Sequence, residues 1–121
     1  MRMGQYVNQM STTLDTVRYY MELSLLRPEL KNNRYDFTQR EMDNFETIVQ
    51  LKEWGFAMKE IQELFEHKER TGCGSVELIV YARDMLQAKC ESIECSIVTL
   101  NKQKEEVLHH LGEVEQLLAE A

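Results

Sequence analysis

From Val76 onward the chain has no glycine or proline until Gly112, and through that stretch apolar residues recur at alternating steps of three and four. They are Val76, Ile79, Leu86, Cys90, Ile93, Ile97, Leu100, Val107, Leu111, Val114 and Leu118, and only Arg83 and Lys104 interrupt the series. A seam of this kind is a sustained heptad repeat. Forty-odd helical residues reach about 65 Å at 1.5 Å each, farther than the small module before them can cover. The spacing therefore predicts pairing with another chain, with Ile79, Leu86, Cys90, Ile93, Ile97, Leu100, Val107 and Leu111 as dimerisation residues. The competing arrangement folds the helix back on its own domain. It leaves the far half of the seam wet, at about 0.8 kcal/mol per exposed CH₂.

The remainder reads as mainly α. Proline is limited to Pro28, glycine is scarce and aromatic residues make up 8%, which argues against a sandwich or barrel. Residues 4–9 and 13–23 are expected to form two short helices. Ser11-Thr12-Thr13 between them is rich in residues that cap the free N–H groups of a following helix. Two short helices joined by a tight polar turn are a helix-turn-helix candidate. Pro28 ends the run by driving Arg27 toward extended conformations. Asn32-Asn33 suits a hairpin turn, and Tyr35 and Phe37 alternate as strand residues do, so a small two-stranded wing is expected here. Thr38 with Glu41 forms a capping-box pattern before Met42, Phe45, Ile48, Val49 and Leu51 at helical spacing. Gly55 is a plausible stop, and Trp54 and Phe56 beside it are expected in the core. A further helix over 58–69 carries Ile61, Leu64 and Phe65. The predicted organisation is a winged helix-turn-helix domain over residues 1–70, a hinge over 71–75 and a coiled-coil dimerisation helix over 76–121.

The net charge of −7 hides an asymmetry. Residues 1–40 hold six Lys/Arg against four Asp/Glu, a net of +2; residues 41–121 hold eight against seventeen, a net of −9. A cationic N-terminal module on an acidic remainder fits a polyanion partner for the former. No apolar run approaches the ~20 residues of a membrane span, and Met1–Gln5 lacks the apolar core of a signal peptide. A cytoplasmic protein without a membrane partner is expected, with Cys73, Cys90 and Cys95 as reduced thiols.

The local sequence resembles the mercury-resistance regulator (MerR) family. Thr16-Val17-Arg18-Tyr19-Tyr20 is similar to that family's T-L-R-Y-Y, and Leu25-Leu26-Arg27-Pro28 to its G-L-L-x-P. Phe37-Thr38 through Glu41-Met42 resembles Y-S-x-x-D-L, Leu51-Lys52-Glu53-Trp54-Gly55-Phe56 resembles L-R-x-x-G-F, and Lys59-Glu60-Ile61 the x-E-I that follows. The resemblance implies a homodimer joined by an antiparallel coiled coil. It also implies binding to double-stranded promoter DNA, reshaped so that RNA polymerase is affected indirectly. This sequence departs from the pattern at four places. Asp15 stands where a basic or neutral residue is common, Ser24 replaces a glycine, Asn33-Arg34-Tyr35 replaces G-Y-R in the wing, and Ala57 replaces a capping Ser or Thr. No segment after Ala121 supplies the large ligand-binding domain of the drug-sensing branch, so the sequence reads as a short member or an N-terminal part.

A recognition helix offers its N-terminal side chains to base edges in the major groove. Here these are Thr12, Thr13, Asp15 and Thr16, and threonine can donate, accept and touch a thymine methyl. Arg18 is suited to a bidentate phosphate contact, and Tyr19 to a backbone contact through its hydroxyl. Lys31, Asn33, Arg34 and Tyr35 on the wing are the remaining DNA-binding candidates. Tyr19 and Tyr20 are adjacent and cannot share a helix face; Tyr20 is expected inside. In an antiparallel pairing centred between Ile93 and Glu94, Arg83 meets the partner's Lys104, which disfavours that register. The apolar stripe widens after Leu100 through Val107, Leu108, Leu111, Val114, Leu117 and Leu118, as if it had more than one neighbour.

Cys73, in a glycine-flanked hinge, is the candidate sensor thiol. No C-x-C or C-x₂-C spacing supports a metal site, and no cofactor is implied. There is no phosphate-binding glycine loop and no nucleophile elbow, so an enzyme is not expected. The alternative function is a coiled-coil structural or adaptor protein that uses the winged module to hold another protein.

Overall fold

A computed structural model describes residues 1–121 as two units, Met1–Ile79 and Val80–Ala121. The elements run α1 (Met3–Gln9), α2 (Leu14–Glu22), β1 (Glu29–Lys31), β2 (Arg34–Asp36), α3 (Gln39–Glu53), α4 (Met58–Thr71) and α5 (Val76–Glu120). The chain is mainly helical, a winged helix-turn-helix followed by one long helix, as the sequence pattern predicts.

Three helices of the first unit end by the same device. At the end of α3, Gly55 takes φ 86°; its N–H donates to Lys52 O at 3.0 Å and the Phe56 N–H to Leu51 O at 3.0 Å. This is the Schellman arrangement, in which a left-handed residue lets the last carbonyls be capped. Ser11 (φ 54°) does the same for α1, with bonds from Ser11 to Asn8 and from Thr12 to Val7. Ser24 (φ 61°) does it for α2, with bonds from Ser24 to Met21 and from Leu25 to Tyr20. Two serines thus occupy a conformation that glycine adopts without strain. The glycine that Ser24 replaces is explained by this backbone.

The core gathers around Tyr6, which is fully buried. Its ring stacks on Phe37 with centroids 4.3 Å apart and meets Phe45 edge-on at 6.1 Å. Its hydroxyl donates to the Glu41 carbonyl at 2.7 Å. Burial, reinforced by the nearby Glu41 carboxylate, raises the Tyr6 phenol well above its ordinary range. Val17 and Tyr20 of α2, Leu25, Leu26, Ile48, Leu51, Phe56 and Ile61 complete the interior.

Trp54 corrects one expectation: half of its surface is exposed. It is the C-cap of α3, just before Gly55. The Schellman turn pairs the backbones of Leu51 and Phe56, both of which are buried, and leaves Trp54 between them outside. Val49 likewise faces solvent. At the start of α3, the Glu41 carboxylate accepts from the Thr38 N–H at 3.3 Å. Ala57 precedes α4 without a side-chain oxygen, and Glu60 compensates by accepting from the Ala57 N–H at 2.9 Å.

Helix α5 runs 45 residues and buries none of them. Ile79, Leu86, Ile93, Ile97, Leu100, Val107, Leu111, Val114 and Leu118 are all exposed on the single chain. Gly112 lies inside the helix without breaking it. Ser75 caps its start, its hydroxyl accepting from the Leu78 N–H at 3.1 Å. No helix is long and apolar enough to cross a membrane.

Candidate nucleic-acid interface

The turn between α1 and α2 sets the geometry of the second helix. Thr13 is its N-cap: Oγ1 accepts from the Thr16 N–H at 3.2 Å and donates to the Thr16 hydroxyl at 2.9 Å. Asp15 lies in the first turn, where its charge favours the positive end of the helix. Thr12 and Thr16 are partly exposed, while Thr13, Asp15, Arg18 and Tyr19 are exposed. Tyr20 points inward, its ring 5.8 Å from that of Phe45, and its hydroxyl accepts from Lys52 Nζ at 3.3 Å. The inward and outward tyrosines fall as their adjacency requires.

The wing pairs antiparallel, Glu29 with Asp36, Leu30 with Tyr35 and Lys31 with Arg34. Asn32 and Asn33 both take positive φ, 51° and 60°, the conformation of a type I′ hairpin turn. Phe37 lies just past β2 and anchors the wing in the core. Its N–H donates to Met1 O at 2.7 Å. The Met1 amine donates to Phe37 O at 2.6 Å and to Asp36 Oδ1 at 3.0 Å. The hydrogen bond from the amine, aided by the charges of the amine and of Lys31, holds the Asp36 carboxyl below its ordinary range against an opposing burial cost. Lys31 sits 3.5 Å from Asp36 and 3.8 Å from Glu29, so part of its charge is answered within the wing.

Between α2 and the wing lies an open groove of about 880 Å³, lined among others by Arg2, Arg18, Arg27, Arg34, Tyr35 and Glu22. It brings together Arg18, Arg34 and Tyr35, which the sequence pattern had selected. It adds Arg2 and Arg27, neither of which had been singled out as a DNA contact. Arg27 is engaged, its guanidinium 3.2 Å from Glu69 and its Nε donating to Ser24 O.

A family model described as MerR HTH family regulatory protein matches residues 1–68. The chain belongs to the MerR family. It is also similar to the HTH-type transcriptional regulator HmrR of Rhizobium leguminosarum bv. viciae. The two are 25% identical over 113 residues, which cover 90% of this chain and 82% of that one. As a MerR-family protein it is a DNA-binding transcriptional regulator, in a family of regulators and not of enzymes.

Cys73 is exposed, between Gly72 (φ 89°) and Gly74 (φ 80°), at the edge of a small cavity of about 240 Å³ that Arg40 and Lys68 also line. Cys90 and Cys95 are exposed on α5. No three His, Cys, Asp or Glu side chains are grouped as metal ligands.

Proposed function

We propose that the protein acts as a homodimer on promoter DNA, each protomer laying α2 in a major groove and its wing against the flanking backbone. Thr12, Thr13, Asp15 and Thr16 face base edges; Arg18 and Tyr19 face phosphates; Lys31, Asn33, Arg34 and Tyr35 act from the wing. The observation that carries this reading is the groove between α2 and the wing, in which exposed arginines from both elements converge. Thr13 spends its hydroxyl on the cap, which leaves Thr12, Asp15 and Thr16 as the more available base readers.

The dimer rests on α5. Its seam is apolar along the helix except at Arg83 and Lys104, and is uncovered on the single chain. An antiparallel register that sets Arg83 against the partner's Val107, and Lys104 against the partner's Leu86, separates the two cations and sets Ile93 against the partner's Ile97. RNA polymerase responds indirectly, through the shape of the bound promoter, and the site of action is the cytoplasm. Cys73 is the candidate thiol for an effector response. The adaptor alternative is favoured only by Asp15 in the first turn of α2 and by the acidic total charge.

The test is fluorescence-anisotropy titration of a mixed-sequence duplex across a salt series, with Arg18→Ala as the variant. The expected result is weaker binding to every sequence and a salt slope shallower by about 1 per lost phosphate contact. Loss of affinity for one sequence with non-specific binding unchanged would refute the phosphate role of Arg18.

A further inference from the structure

Building on that DNA-binding reading, we propose that Arg2 is a DNA-phosphate contact. With Arg18 and Arg34 it holds the stretch of backbone that passes between α2 and the wing. Three observations support this. First, Arg2 lines both the groove beside Arg18 and Arg34 and a second concavity along the wing with Lys31 and Arg34, so it stands where the two surfaces meet. Second, the charge balance singles out these three cations. Arg27 is paired to Glu69 and Lys31 is shared between Asp36 and Glu29, whereas Arg2, Arg18 and Arg34 are exposed and enter no ion pair. A guanidinium in that state loses little on meeting a phosphate and can bond it bidentately. Third, Arg2 does not dangle. The Phe37 N–H donates to the carbonyl of Met1, and the Arg2 carbonyl accepts from the Tyr6 N–H at 3.0 Å. These bonds tie its backbone to the end of the wing on one side and to α1 on the other, so little chain entropy remains to be lost on binding. Glu22 lines the same groove, which places the phosphate on the arginine side of it.

The experiment measures duplex binding by anisotropy at a series of salt concentrations for the full chain and for Arg2→Ala, with Lys102→Ala, an exposed cation of α5 that is neither in the groove nor on the seam, as the comparison. A dimer carries two copies of Arg2, so losing both phosphate contacts lowers the slope of log K against log salt by about 1.8, and affinity near 0.1 M salt falls on the order of 50-fold. Lys102→Ala removes the same charge away from the groove and changes the slope little. Arg2→Lys keeps the charge and retains the slope; Arg2→Gln keeps the aliphatic stem and gives the slope change should Arg2→Ala melt early. Wild-type slope and affinity in Arg2→Ala and Arg2→Gln, with Arg18→Ala impaired, would overturn the role of Arg2 and leave the DNA reading standing. A wild-type chain that binds no duplex at any salt would remove the reading itself.

Discussion

Replacing Ile93 by alanine gives the most direct handle on the dimer. Ile93 sits mid-seam on α5 with 47% of its surface exposed on the single chain. Full burial of an isoleucine side chain stabilises by ~1.5–3 kcal/mol, and with about half of the surface left to cover, pairing recovers on the order of 1 kcal/mol per chain. The substitution occurs in both protomers, and the cavity it leaves adds to the loss, so the dimer weakens by about 3 kcal/mol. That corresponds to roughly a hundredfold increase in Kd. Sedimentation equilibrium over a wide concentration range reads this directly. Val98→Ala is the matched control. Val98 is 70% exposed but lies one residue past Ile97, off the seam, and its loss is expected to leave Kd within a factor of about three, inside the ordinary ±0.5 kcal/mol of surface substitutions. Equal Kd values for wild type and Ile93→Ala, or equal effects of the two substitutions, would refute the seam as the interface.

Ser24→Gly relieves a left-handed serine that costs about 1–2 kcal/mol, against the ~0.5–1 kcal/mol of chain entropy that glycine adds. A net gain of about 0.5–1 kcal/mol, seen as a Tm a few degrees higher at fixed protein concentration, is expected; a lower Tm would mean the serine makes a contact that matters more than its backbone. Tyr6→Phe removes the hydroxyl that donates to the Glu41 carbonyl and costs about 0.5–1.5 kcal/mol in denaturant titration. Because the folded phenol is held above its unfolded value near 10, its contribution is complete below about pH 10 and is lost as pH rises further. Stability of the wild type therefore falls more steeply than that of Tyr6→Phe in alkali, and parallel curves would contradict the burial of that phenol.

Much of this architecture was legible because it rests on repeating or local rules. The seam from Val76 to Leu118 declares itself by period, Asn32-Asn33 by its tolerance of positive φ, and Thr38 with Glu41 by capping chemistry. What escaped has equally physical reasons. Ser11 and Ser24 close Schellman turns, but serine is not the residue such turns usually select, and Ser11 was grouped instead with the caps of the next helix. Trp54 was expected inside because it is large and apolar. Its position at the helix end, between the paired Leu51 and Phe56, decides otherwise. Arg2 carries no pattern with Arg18 or Arg34 in sequence. It joins them only because the backbone of Met1 bonds to Phe37 across 36 residues.

The central claim, that two modules read promoter DNA, is tested most directly by capturing sheared genomic DNA with the purified protein at two salt concentrations and sequencing what is retained. The account predicts recovery at both salts of one or a few promoters carrying an inverted repeat, with non-specific fragments lost at the higher salt. Recovery of nothing above background, even at low salt, would contradict it.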